Sequence, residues 1–226
     1  MKKILILGFL TVITVSLTFG QIMPEGEKKS DTVNSDIQTI KLAHDLADYG
    51  YENDSASALL QAAEILAQIP TQTAKYEAAK SGTSAKDAKK EHSLTPEELI
   101  KDAKELAKKD KTMLAWAADI EKSLKTGTRG ATGGPLYAEE LVYGNGGLTW
   151  YYWYFDANRL ADIYVYPFNG ADLDLYIEDE NGNMIVYDSR NCLDAWCQFT
   201  PKWTGVFKVT IKNNSPWNTY FSITTN

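Results

Sequence analysis

Two aspartates, six consecutive aromatic residues and two cysteines carry the types and spacing in this chain that suggest chemistry. Asp172 and Asp174 flank Leu173, so on a strand both carboxylates project from one face. Like charges so placed repel, and a divalent cation relieves the repulsion. Calcium takes roughly six to eight oxygen ligands. Asp179 completes the expected calcium set, with Asn169, Asp188, Glu139 or Glu140 as further oxygen donors. The competing reading is an ordinary solvated polar face, because the ligands are scattered and no EF-hand spacing is present.

The run Trp150-Tyr151-Tyr152-Trp153-Tyr154-Phe155 alternates on a strand. One set must be core. The other set, Trp150, Tyr152 and Tyr154 or else Tyr151 and Trp153, is free to meet a sugar or peptide ligand or to dock on another part of the chain. Cys192 and Cys197 are the only cysteines and lie close together. In an exported chain such a pair is expected to form one local disulfide that shapes a loop. Without a nearby histidine they cannot complete a tetrahedral zinc site, and their spacing is not that of a redox C-x-x-C. His44, on a helix with Asp45 and Asp48, reads as a surface or boundary residue, and His92 falls in a connector. The chain has no H-E-x-x-H, G-x-S-x-G or phosphate loop, so it is expected not to be an enzyme.

The elements that must hold these residues divide the chain in two. Residues 35–125 are helical by periodicity. Ile37, Ile40, Leu42, Ala43, Leu46 and Ala47 make one apolar stripe, with Gly50 as its stop and Asn53-Asp54-Ser55 as turn and new cap. Thr95-Pro96-Glu97-Glu98 starts another helix, with Thr95 as N-cap and Pro96 in the first turn. The helices are expected as two hairpins. Between them, 71–93 is Lys-, Ala-, Ser- and Gly-rich and is expected to be a mobile connector or a poorly packed helix. Residues 126–135 form a Gly/Thr linker. Beyond it, short alternating runs separated by turn residues predict antiparallel strands through 136–226.

The N-terminus carries Lys2 and Lys3, an uncharged and largely apolar stretch from Ile4 to Phe19, and Gly20 before a polar segment. The run is marginal for a membrane span and well sized for a cleavable signal peptide, 1–20, followed by a disordered stretch, 21–34. The expected location is therefore secreted or periplasmic, without stable membrane insertion after cleavage. The net charge of −7 and pI near 5.0 disfavour nucleic acid and anionic lipid as partners.

The C-terminal segment, 136–226, resembles the bacterial pre-peptidase C-terminal domain. The resemblance rests on the aromatic strand Trp150–Phe155, on Ala171-Asp172-Leu173-Asp174-Leu175-Tyr176-Ile177 and on the turn Asp179-Glu180-Asn181-Gly182-Asn183. It also rests on Phe199-Thr200-Pro201, Thr204–Ile211 and Tyr220–Ile223. It implies a jelly-roll-like β-sandwich of the kind found beside secreted peptidases, some of whose relatives in bacterial collagenases bind collagen and carry calcium. Here helices precede it, so a proteolytic role is not implied.

The fold class expected is α + β in separate domains, with N-terminal helical hairpins followed by an antiparallel β-sandwich. The expected function is that of an exported, non-enzymatic binding or accessory protein whose sandwich recognises a protein or polysaccharide. The alternatives are an envelope assembly protein acting through its helices, and a hydrolase or inhibitor with an unrecognised site.

Overall fold

The structure, a computed structural model, describes residues 35–69, 71–74, 77–84, 94–126 and 135–226. These all fall in one compact unit, 33–226. The expected signal peptide, the stretch 21–34, His92 and most of the linker 126–135 lie outside the described residues. No described helix is long and apolar enough to cross a membrane.

The described residues begin with four helices: α1 (Ser35–Glu52), α2 (Ala56–Ala67), α3 (Pro96–Ala107) and α4 (Lys111–Thr126). Their starts are written in side-chain caps. The Ser55 hydroxyl accepts from the Ala58 N–H, and Thr95 accepts from the Glu98 N–H. Asp110 accepts from the N–H groups of Thr112 and Met113 at the head of α4. On α1 the buried Ile37, Ile40, His44 and Ala47 follow the helical repeat. α2 packs against the other three helices. Gly50 does not end α1, which continues to Glu52. A Cβ at Gly50 would lie 2.5 Å from Leu59 Cδ2, so the glycine instead lets α1 and α2 approach closely.

Among the described residues, ten strands form two five-stranded sheets. They are β1 (Gln72–Thr73), β2 (Ala79–Ser81), β3 (Leu136–Val142), β4 (Gly147–Phe155) and β5 (Ala161–Pro167), then β6 (Leu173–Glu178), β7 (Met184–Asp188), β8 (Ala195–Phe199), β9 (Gly205–Asn213) and β10 (Thr219–Thr225). The first sheet runs β1-β3-β10-β5-β8 and the second β2-β4-β9-β6-β7. All pairings are antiparallel except β1 with β3. The two sheets share one core, to which the second contributes Tyr151, Trp153, Leu175, Phe207 and Val209, and the first Ile163, Val165, Cys197 and Phe221. This is the alternation that a sheet with one face on a core requires.

The segment 71–93, expected as a mobile connector or poorly packed helix, supplies β1 and β2 where it is described. All five strand residues are exposed, and they are held by backbone pairing at the edges of β3 and β4. Hydrophobic periodicity cannot register a strand that buries no side chain. Lys80 adds an ion pair to Glu140 at 2.5 Å.

The helices and sheets, expected as separate domains, share a second hydrophobic cluster. Tyr164, Tyr166 and Phe168, from β5 and the turn after it, join Ile40, Leu59, Ala63 and Ile100 of the helices. Every residue of β5 is buried because it has core on one side and helices on the other. The helical layer thus covers the outer face of the first sheet.

Candidate functional site

With helices over the first sheet, the outer face of the second is open and carries a group of exposed aromatic side chains. Tyr152 and Tyr154 on β4 are 59% and 61% exposed, and Tyr187 on β7 is 60% exposed. Trp150 is half-buried with the Lys208 ammonium 5.6 Å above its ring. Tyr176 on β6 stacks with Tyr187, its cross-strand partner, at 6.2 Å between centroids and 22° between planes.

The other half of the run is interior. Tyr151 and Trp153 are 1% and 2% exposed and pack 5.0 Å apart. Phe155 meets Phe199 and Phe207 edge-on. The structure therefore corrects the alternative in which Tyr151 and Trp153 meet a ligand: they form the sandwich core, and Trp150, Tyr152 and Tyr154 are the outward set.

Between the two aromatic rows runs a charged strip. Lys208 pairs with Glu178 at 3.3 Å, and Lys212 lies 3.8 Å from Asp174, which also accepts from the Tyr176 hydroxyl at 2.7 Å. β4 and β6 are separated by β9, so the rows stand roughly 10 Å apart. Clefts open at both ends of the face, about 320 Å³ beside Tyr154, Asp156 and Arg159, and about 340 Å³ beside Tyr187, Arg190 and Trp196. At the second, Asp188 holds the exposed Arg190 guanidinium through both carboxylate oxygens and also accepts from the Trp196 N–H. Tyr176, Tyr187 and Lys208 were not read from the sequence as part of this face. The outward phase of Tyr176, between the apolar Leu175 and Ile177, is the signal that could have found it.

The expected calcium set is not assembled. Asp174 is engaged by Tyr176 and Lys212. Asp179 sits inside the β6–β7 turn, its carboxylate accepting from the N–H groups of Asn181 and Asn183 and from the Asn183 amide. The Asn183 side chain foremost, and then the backbone donors, outweigh burial and hold the Asp179 carboxyl below its usual range. Asp172 carries one buried carboxylate oxygen without a hydrogen-bond partner. Among the described residues no group of three or more His, Cys, Asp or Glu side chains could hold a metal ion. Asp179 thus serves the β6–β7 turn and Asp174 the sheet surface.

The expected disulfide is also corrected, since both cysteines are free. Cys197 points inward from β8 and is 1% exposed within the core, whereas Cys192 lies in the preceding loop with its thiol on the Asp194 carbonyl. Strand alternation fixes Cys197 toward the core, away from its neighbour in sequence. Burial pushes the Cys197 thiol up to about 12.

His44 is not at the surface. It is 2% exposed, between the rings of Tyr164 and Tyr166.

The described residues thus define a two-sheet β unit with helices on one outer face and exposed aromatic residues on the other. No family model matches the chain, and no curated protein matches it. Among solved structures, the chain is similar to the pre-peptidase C-terminal domain of a collagenase from Bacillus anthracis. The likeness covers 40% of this chain and 87% of that one, at 13% identity and a TM-score of 0.35. It is also similar to the CBM22-1 and GH10 modules of a Clostridium thermocellum xylanase. There the likeness covers 40% of this chain and 26% of that one, at 13% identity and a TM-score of 0.25.

Proposed function

We propose that this is an exported, non-enzymatic binding protein that holds a polysaccharide or protein ligand on the outer face of its second sheet. The observation that carries the reading is the placement of Tyr152, Tyr154 and Tyr187 in solvent on one sheet face. An exposed aromatic face with polar groups between its rings suits a ligand that is apolar on one side and hydrogen-bonding on the other. The ion pairs Lys208–Glu178 and Lys212–Asp174 leave the strip balanced in charge, which suits an uncharged ligand surface. The alternative of envelope assembly through the helices has less support, because their apolar faces pack on one another and on the first sheet.

The test is binding of the whole chain to glycan and matrix-protein arrays, repeated with Tyr152→Ala plus Tyr154→Ala. Each exposed ring contributes about 1 kcal/mol at a contact of this kind, so the double variant should weaken binding by more than about tenfold. Equal binding by both proteins, or no array binding by either, would remove the reading.

A further inference from the structure

Trp150, Thr210, Tyr176 and Tyr187 form one row across the second sheet, from β4 through β9 and β6 to β7, each the register partner of the next. The row spans three strand spacings, about 14 Å. At its β7 end it meets the cleft of about 340 Å³ lined by Tyr187, Asp188, Ser189, Arg190 and Trp196. We infer, resting on the proposal that this sheet face holds the ligand, that the cleft is the anchoring subsite for a neutral sugar unit of a polysaccharide. Tyr187 is the platform for the sugar ring, and the Arg190 guanidinium donates to its hydroxyl groups.

The guanidinium is fixed in advance. Asp188, 7% exposed, accepts from Arg190 Nε at 2.8 Å and from Nη2 at 2.7 Å, and also from the Arg190 backbone N–H at 3.3 Å. The carboxylate is itself held by the Trp196 N–H at 2.9 Å, on a strand of the other sheet. The Arg190 side chain nonetheless stays 68% exposed. The N–H groups turned away from Asp188 remain a planar fork whose orientation is set before a ligand arrives. Tyr187 is oriented as well, because Tyr176 stacks against it, while the residue stays largely in solvent.

Both groups select the same ligand chemistry. A pyranose ring is apolar across its C–H face and carries hydroxyl oxygens around its rim. The C–H face suits an aromatic ring, and neighbouring hydroxyls suit the paired N–H groups of a guanidinium. A ligand carboxylate is less suited. Asp188 already neutralises Arg190, and a second carboxylate on the same guanidinium would face the first at short range. A peptide presents single carbonyl acceptors spaced along its chain, which the fork does not match in pairs. The volume is at the lower end for small-molecule sites and takes one ring unit rather than a chain. Further units of the polysaccharide lie along the row toward Trp150.

The whole chain is titrated, by amide chemical shifts, with neutral oligosaccharides of the glucan, xylan, mannan and galactan classes. Oligogalacturonate serves as the acidic control and a Gly-Pro-Pro repeat peptide as the protein control. The expected result is saturable binding of at least one neutral oligosaccharide, with shifts at Tyr187, Ser189 and Arg190. Arg190→Lys keeps the charge but loses the fork, and should weaken binding about tenfold. Tyr187→Ala, at an exposed ring, should weaken it severalfold without moving the melting temperature. It remains decisive if Arg190→Lys disturbs the junction of β7 and β8. Affinity unchanged in both variants, or tighter binding of oligogalacturonate or of the peptide, would overturn the subsite. Binding lost in Tyr152→Ala plus Tyr154→Ala yet unchanged in both subsite variants would overturn the subsite alone and leave the aromatic face standing. No saturable binding of any probe would remove both.

Discussion

The imidazole of His44 on α1 and the ring of Tyr166 on β5 stand 4.6 Å apart between centroids, inclined at 52°. Tyr164 closes the other side at 5.6 Å. A helix and a sheet are thereby joined through a titratable ring with almost no access to water, and its Nδ1 has no hydrogen-bond partner.

This contact makes the fold sensitive to acid. Burial foremost, with the nearby Lys41 charge, lowers the His44 pKa from 6.5 to about 3. Between those values the unfolded chain binds a proton that the folded chain does not, so stability falls as pH falls. The slope from this group approaches about 1.4 kcal/mol per pH unit. Above pH 6.5 the effect vanishes. Urea unfolding of the wild type and of His44→Leu across this range should show a shallower acid slope in the variant. Equal slopes would contradict the burial of a neutral imidazole.

Adjacent residues of β4 should behave oppositely. Trp153→Ala empties part of the sandwich core and should cost about 3–5 kcal/mol. Tyr152→Ser and Tyr154→Ser alter solvent-exposed rings and should shift stability by no more than about 0.5 kcal/mol. Thermal unfolding of the three single variants checks the alternation directly. A large loss at Tyr152 would show that its face is covered.

The cysteines should titrate as two thiols in denaturant and unequally in the native state. Cys192, half-buried in a loop, should react first with a thiol reagent. Cys197, with its thiol buried and its pKa pushed up to about 12, should react only as the protein opens. Adding reductant should leave the melting temperature unchanged. A reductant-dependent drop would restore the disulfide.

Asp188 fastens the end of β7 to β8. Burial opposes its charge, but hydrogen bonds from the Arg190 side chain and from the Trp196 and Arg190 N–H groups prevail and hold the carboxyl below its usual range. Asp188→Ala strands the Trp196 N–H and frees Arg190, and should cost about 1–3 kcal/mol. Because the folded pKa is depressed, the wild-type advantage should be full near neutrality and shrink as pH falls below 3.8 toward the lowered value. Chemical denaturation of both proteins at neutral and acid pH measures this.

The sequence by itself determined what short-range rules govern. Caps at Ser55 and Thr95 and the apolar repeat of α1 set helices where the structure has them. Alternation predicted strands in 136–226, and on β4 fixed Trp150, Tyr152 and Tyr154 as one set against Tyr151, Trp153 and Phe155. It could not decide which set was buried, because alternation is symmetric between the two faces of a strand. That choice followed from the second sheet closing over Tyr151 and Trp153. It could not place β1 and β2 either, which bury nothing and exist through backbone pairing to strands distant in sequence. Gly50, His44 and Cys197 show the same limit. Each was read by its neighbours in the chain as helix stop, surface residue and half of a disulfide. Each is instead set by an element packed against it from elsewhere: Leu59 on α2, the tyrosines of β5, and the core between the sheets. Close packing is decided by which surfaces meet, and only the tertiary structure brings those surfaces together.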